Sequence, residues 1–336
     1  MSQAAVIGYG LLTWVMAVLE IFDHVAQFRE KLAELISGPE YIFVDWPDYT
    51  NTGDHLIWLG AKAAMNSLGK HCLAELTAWD VRSRRLPNLN QDVTIVTSGG
   101  GNFGDIYQNF QVSREILLEK YPNNRVIVLP QTIHFSSPEK MNLSSQKFLA
   151  HKNCFIFTRD KRSRSLAHNF ASDDRVFLAP DCAFFLMPLI TYICQRVPLL
   201  DPHFEMLYIV RDDQERIDDG GASDKPDMVI DWCNEENYYY GYISRNLLDE
   251  FDLKQSDISR IFGAPSYFDL ISMRRLILGM HIVGLGKNLK TDRLHAHILS
   301  CLLMKEHVFR DNIYGKNRSF YEAWTHSLKF IDTEFK

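Results

Sequence analysis

A guanidinium and an imidazole stand two residues apart in the stretch Thr291-Asp292-Arg293-Leu294-His295-Ala296-His297, close to a predicted helix start. An apolar run at 281–285, read as a strand, and a short turn at 286–288 precede it, and a second apolar run covers 298–304. Thr291 is expected to cap the helix, because its hydroxyl can accept one of the orphan backbone N–H groups of the first turn. Asp292 then sits where the helix dipole favours an anion. Arg293 and His295 fall beside free backbone N–H groups, a combination able to hold an anion and to protonate it. The same residues also fit an ordinary helix start with both side chains solvated, and the stretch alone does not separate the two.

Other polar clusters recur at the ends of apolar runs. A short strand at 41–45 leads into Asp48-Tyr49-Thr50-Asn51-Thr52-Gly53-Asp54 and a helix at 55–68. Open α/β sheets place their sites at the carboxyl ends of parallel strands, which gives Asn51 and Asp54 a functional reading. Their spacing equally suits a turn and a cap. A strand at 93–97 runs into Ser98-Gly99-Gly100-Gly101-Asn102-Phe103-Gly104-Asp105 and then a helix. This is formally a dinucleotide fingerprint, but the next strand ends in Pro130-Gln131-Thr132 with no ribose-binding acid, which argues against a nicotinamide or flavin site. What remains is that Gly100 and Gly101 let backbone N–H groups approach an anion or a sugar closely. A strand at 155–158 ends in Arg159-Asp160; Arg159 either pairs an anion or forms a surface salt bridge with Asp160 or Asp174, which would contribute little.

These elements must be positioned by an α/β framework with a mainly parallel sheet, since strand, loop and helix alternate. Residues 188–203 look like a crossover, and strands at 206–210 and 228–232 restart a sheet. Residues 211–225, rich in Asp and Gly, are expected as a mobile surface loop. A helix at 265–279, a strand at 306–309 and a terminal helix at 320–330 complete the pattern. The chain's 336 residues suit two domains. The expected division is an N-terminal helix (1–38), an α/β domain (39–190), a second α/β domain (204–316) and a C-terminal helix (317–336), with loops of both domains facing a cleft. A net charge of −6 gives no sign of a nucleic-acid partner. The six cysteines form no C-x-x-C pair and suit a reducing cytosol. The N-terminus lacks the basic start and cleavage site of a signal peptide and is barely long enough to span a bilayer. It reads as one helix over 11–37, whose apolar first half packs on the body, on a second subunit or on a membrane surface.

Taken in order, the clusters resemble the polysaccharide pyruvyl transferase family. The matching pieces are Asn51–Asp54, Gly99–Asn102, Pro130–Thr132, Arg159-Asp160, Pro180-Asp181-Cys182-Ala183-Phe184, Thr291–His295 and Asp311-Asn312-Ile313-Tyr314-Gly315-Lys316, spanning about 41–324. The loop 211–225 and the helix before residue 41 lie outside the resemblance. It implies two Rossmann-like domains in a glycosyltransferase-B-like arrangement. It also implies transfer of the enolpyruvyl unit of phosphoenolpyruvate to a sugar, usually as a cyclic ketal, with no metal or other cofactor. By motif, Arg159 and Arg293 would bind the donor and His295 would be the acid. Asp54 is the candidate base, with Asp181 behind it. Asn51, Gly100, Gly101, Asn102, Gln131, Asp181, Asn312 and Lys316 would serve the acceptor or the loops around it. The acceptor would be a saccharide of an exopolysaccharide, carried on a lipid at the cytoplasmic face. A nucleotide-sugar glycosyltransferase and a non-catalytic carbohydrate-binding scaffold are the alternatives. His297, two residues from His295 on a helix, should point elsewhere and serve structure, which disfavours a metal pair.

Overall fold

Strands buried along nearly their whole length, such as Val126–His134, are the signature of a parallel sheet covered on both faces, and two parallel sheets form. The computed structural model describes residues 3–36, 38–196, 201–213, 215–217, 225–233, 261 and 263–335, with side chains from residue 19 onward. In the first sheet β1 (Glu40–Val44), β2 (His71–Leu76), β3 (Thr94–Thr97), β4 (Gly100–Gly104), β5 (Val126–His134), β6 (Cys154–Thr158) and β7 (Val176–Leu178) are all parallel. Their order is β2-β1-β3-β5-β6-β7, with β4 also paired to β5. The second sheet is formed by β8 (Phe204–Ile209), β9 (Met228–Ile230), β10 (Gly286–Thr291), β11 (His307–Arg310) and β12 (Ile331–Glu334). It is again parallel and ordered β12-β11-β10-β8-β9.

The helices that matter for the site are α1 (Gln3–Leu35), α2 (Thr52–Ser67), α3 (Ala78–Arg82), α4 (Gln108–Lys120), α5 (Pro138–Ala150), α6 (Lys161–Ala167), α7 (Met187–Arg196), α8 (Tyr267–Leu285), α9 (Leu294–Leu302) and α10 (Lys316–Phe320). Helix α2 packs inside one apolar core reaching both sheets, from Phe43 and Phe157 to Leu207, Leu289 and Phe309. Trp58 on α2 stacks on Phe43 with centroids 4.0 Å apart and donates a 2.9 Å hydrogen bond to Asp269 of α8. That bond ties α2 to α8. Helix α1 buries Ile21, Val25, Phe28, Leu32 and Leu35, a helical stripe, and Phe28 meets Phe157 at 5.0 Å. This half lies on the body; the question of the apolar first half falls on side chains outside the described residues. Among the described residues no helix is long and apolar enough to cross a membrane.

Several expectations are corrected. The run 281–285 is the end of α8, and the strand before the Arg–His stretch is Gly286–Thr291. The terminal helix starts at Lys316, passes through a wider turn at Tyr321–Thr325, and gives way to β12. The expected loop at Gly100–Gly104 forms a short strand.

Candidate functional site

Because the strands within each sheet are parallel, their carboxyl ends share an edge, and the segments leaving these ends meet in a cleft of about 380 Å³. Arg159 follows β6, Arg211 follows β8, Arg293 follows β10, and Lys316 closes the segment after β11. Asn51 and Asp54 enter from the start of α2, and Gly101 and Asn102 from β4. A larger depression of about 790 Å³ lies between α4 and α5, away from these residues.

The Arg–His stretch is an elbow between β10 and α9. Thr291 does not cap the helix as expected: its hydroxyl donates to the Ile209 carbonyl at 2.6 Å and accepts from the Arg293 N–H at 3.0 Å. Arg293 itself stands at the cap position and His295 lies in the first turn. Asp292 lies before the helix and accepts the Arg211 N–H at 2.8 Å; its burial pushes its pKa up to about 6.

His295 enters the cleft against Gly53. A methyl on Gly53 would stand 2.8 Å from the His295 Cβ, so the bare glycine makes room for the imidazole. Nε2 of His295 faces Asp181 Oδ2 at 3.4 Å and Arg159 Nη1 at 3.5 Å. Arg159 Nη1 donates to the same Asp181 oxygen at 2.6 Å, and Nε donates to Thr132 Oγ1 at 3.0 Å. Arg159 is fully buried, and its carbonyl accepts from Trp324 at 2.7 Å. Its partner is therefore Asp181 and neither Asp160 nor Asp174; Asp160 instead caps α6 through Ser163. Burial works to raise the Asp181 pKa, but the charges of His295 and Arg159 outweigh it and hold the carboxyl well below the usual range.

Arg293 Nη2 donates to both oxygens of Asp231, at 2.7 and 2.5 Å, and lies 3.4 Å from Asp213. Its Nε is buried with no hydrogen-bond partner among the described residues. Arg211 forks onto Asp213 at 2.9 and 3.0 Å. Lys316 Nζ donates to Glu215 at 2.6 Å. Each of the four cations thus meets at least one carboxylate, and Arg211 shares Asp213 with Arg293 and Glu215 with Lys316.

Asn51 caps α2, accepting the Gly53 N–H at 3.1 Å, and its amide donates to Asp54 at 2.8 Å; the Tyr49 hydroxyl reaches the same carboxylate at 2.8 Å. Asn51 is thus the cap, Asp54 an acid of the first turn, and both line the cleft. Asn102 Oδ1 accepts from Arg114 and Gln131. Gln131 and Gly100 do not line the cleft; Gln131 bonds Ser98 and Asn102 and so fixes the glycine segment from behind. Asp181, expected as the reserve base, is enclosed behind Arg159 and His295 and does not line the cleft. Asn312 also stands behind the wall, donating to Glu215 at 3.0 Å and accepting the Lys316 N–H at 2.8 Å.

The segment after β8 is the main correction. Arg211 and Glu215 were expected in a mobile surface loop; they are buried and, with Asp213, form a cleft wall. Residues 214 and 218–224 of that stretch lie outside the described residues. Tyr49, Tyr107, Phe110 and Trp232 add aromatic surface. The signal for Arg211 and Asp213 was their place at the carboxyl end of β8, the same rule that singles out Arg159.

His297 faces the core. Its Nδ1 lies 2.8 Å from His307 Nε2, its Nε2 3.0 Å from Thr325 Oγ1, and His307 Nδ1 2.8 Å from the Lys305 carbonyl. One assignment satisfies all three bonds: Thr325 donates to His297, His297 to His307, and His307 to the carbonyl. Burial holds His297 well below the usual histidine range and His307 at about 4. With Cys301 these two form a cluster of ligand-type groups, buried and outside the lining of the cleft.

The polysaccharide pyruvyl transferase family model matches residues 51–280. The chain belongs to this family. The match includes the segment after β8, which the sequence reading had placed outside the resemblance, and stops short of the Arg293–His295 elbow. The chain is 29% identical over 305 residues to "Putative pyruvyl transferase EpsO" of Bacillus subtilis (strain 168), covering 88% of this chain and 90% of that protein. It is 28% identical over 291 residues to "Pyruvyl transferase 1" of Schizosaccharomyces pombe (strain 972 / ATCC 24843), covering 84% and 69% of the two chains. Among solved structures it is similar to a functionally uncharacterised protein of Klebsiella pneumoniae subsp. pneumoniae NTUH-K2044. The TM-score is 0.57 at 19% identity, over 92% of this chain and 97% of that one, a likeness of fold.

Proposed function

We propose that the chain transfers the enolpyruvyl unit of phosphoenolpyruvate to a saccharide hydroxyl pair, forming a pyruvate ketal and releasing phosphate. The observation that carries this is the meeting of Arg159, from the first sheet, with His295, from the second, over one shared carboxylate, and with Arg293 in the same cleft. Two guanidinium groups suit the carboxylate and phosphate of the donor. The donor's C3 must accept a proton before C2 becomes electrophilic. A protonated His295, its charge balanced by Asp181, supplies that proton. One sugar hydroxyl adds to the oxocarbenium carbon, phosphate leaves, and the second hydroxyl closes the ketal. Asp54, held by Tyr49 and Asn51, takes a hydroxyl proton.

This reading goes with two α/β domains, 39–190 and 204–316, in a glycosyltransferase-B-like arrangement. It requires no metal and no cofactor beyond the donor. The acceptor is a lipid-linked oligosaccharide of an exopolysaccharide at the cytoplasmic face, where the N-terminal helix would serve location or assembly. Incubation with phosphoenolpyruvate and acceptor tests it. Phosphate release supports transfer, release of UDP from a nucleotide sugar supports a glycosyltransferase, and neither supports a binding scaffold.

A further inference from the structure

The cations of the cleft are not equivalent, and Gly101 separates them. A methyl on Gly101 would stand 3.2 Å from Arg159 Nη2 and 3.6 Å from Lys316 Nζ. Both cations therefore close on the small space above a bare glycine. The hydrogen bonds of Arg159 to Thr132, Asp181 and His295 use Nε and Nη1, and none engages Nη2 among the described residues. A forked donor, a compact ammonium and a glycine that leaves room are the elements of a phosphate-type anion site.

Lys316 could not hold this place alone. It is buried with Arg159 and Arg211 beside it, and it needs a counter-charge. Glu215 supplies it at 2.6 Å. The Glu215 carboxylate also accepts from Asn312 at 3.0 Å, Tyr314 at 2.8 Å, Arg211 at 2.9 Å, and Tyr107 of the first sheet's side at 3.0 Å. It is thus anchored on both walls of the cleft.

We propose that Arg159 Nη2 and Lys316 Nζ, above Gly101, form the subsite for the donor's phosphate, and that Glu215 is the positioning residue that keeps the Lys316 ammonium there. This rests on the transferase reading and divides the donor between two places: phosphate at Arg159 and Lys316, carboxylate at Arg293. Burial pulls the Lys316 pKa down to about 8, against the pull of Glu215 and with Arg211 and Arg159 adding to the fall. The charged form prevails below that value, so anion binding at this subsite weakens as pH rises through it.

Sulfate is the probe, since its charge is constant near neutral pH, with phosphoenolpyruvate and pyruvate beside it in titration calorimetry. Wild-type protein should bind sulfate with an affinity that falls as pH rises through about 8. Gly101→Ala, whose backbone suits alanine, and Lys316→Ala should each weaken sulfate ~10- to 100-fold at neutral pH, the range for a lost hydrogen bond to a charged group. Glu215→Gln should move the fall to lower pH, which mere loosening of the wall would not do. Pyruvate should be indifferent to Lys316→Ala. Sulfate binding left intact by both Gly101→Ala and Lys316→Ala overturns the subsite, and turnover of phosphoenolpyruvate would show the transferase reading still standing. Wild-type protein that binds neither sulfate nor phosphoenolpyruvate overturns both.

Discussion

His295 and His297 lie two residues apart on α9 and face opposite surroundings. His295 meets Asp181, Arg159 and the bare backbone of Gly53 at the wall of a cleft, among charges. His297 lies in the core, stacked on Phe309 at 3.8 Å, in a chain of neutral hydrogen bonds that uses both ring nitrogens. The first imidazole is placed where a proton can be held and given. The second has its tautomer fixed and no site left for another partner. The residue type carries neither role; the neighbours assign it.

The largest expected effect on this contrast is chemical. His295→Ala should slow turnover by ~10²–10⁴, the range for a lost general acid, while donor affinity stays within several-fold. Arg293→Ala should weaken donor binding instead, because a guanidinium contact exists before the reaction as well as during it. Calorimetry beside initial rates checks both. Next comes Gly53→Ala, whose methyl would push on His295; turnover should fall ~10²-fold, the scale for a catalytic group displaced by about an ångström, with the melting temperature little changed.

His297→Ala should show the opposite pattern. It strands Thr325 and His307 and opens a cavity, so stability should fall by about 3 kcal/mol in denaturant titration, with activity per folded molecule retained. Acid should expose the same residues. Their folded-state pKa values are depressed, to about 4 for His307, so they bind protons only on unfolding. The stability they contribute is full above the ordinary histidine value of about 6.5 and is lost as pH falls toward 4. The melting temperature of wild type should drop through that window more steeply than that of His297→Ala. The smallest expected effect is none: a chelator should leave the melting temperature and turnover unchanged. A drop restored by zinc would make His297, Cys301 and His307 a metal site and dissolve the contrast.

How much of this was legible in the sequence depended on range. The parallel α/β pattern was readable because buried strands stand out as apolar runs between loops. Arg159, Arg293 and His295 were readable from motif and from strand ends. The run 281–285 misled because α8 is buried almost all round along its second half, so no polar face marks its period. Its successor β10 was hidden by the exposed Lys287 and Asn288. The segment after β8 misled for another reason. Its charges look solvated in one dimension, but Glu215 finds Lys316 101 residues away and Tyr107 108 residues away, pairings that no local pattern carries.

The central claim is that this cleft delivers a proton to C3 of an enolpyruvyl donor from His295. Running the reaction in deuterium oxide and examining the product by mass spectrometry tests it most directly. The account predicts one deuterium in the pyruvyl methyl group with wild-type protein, and no such product from His295→Ala on the same timescale. A product that keeps the enolpyruvyl double bond, or labelled ketal formed by His295→Ala at the wild-type rate, would contradict it.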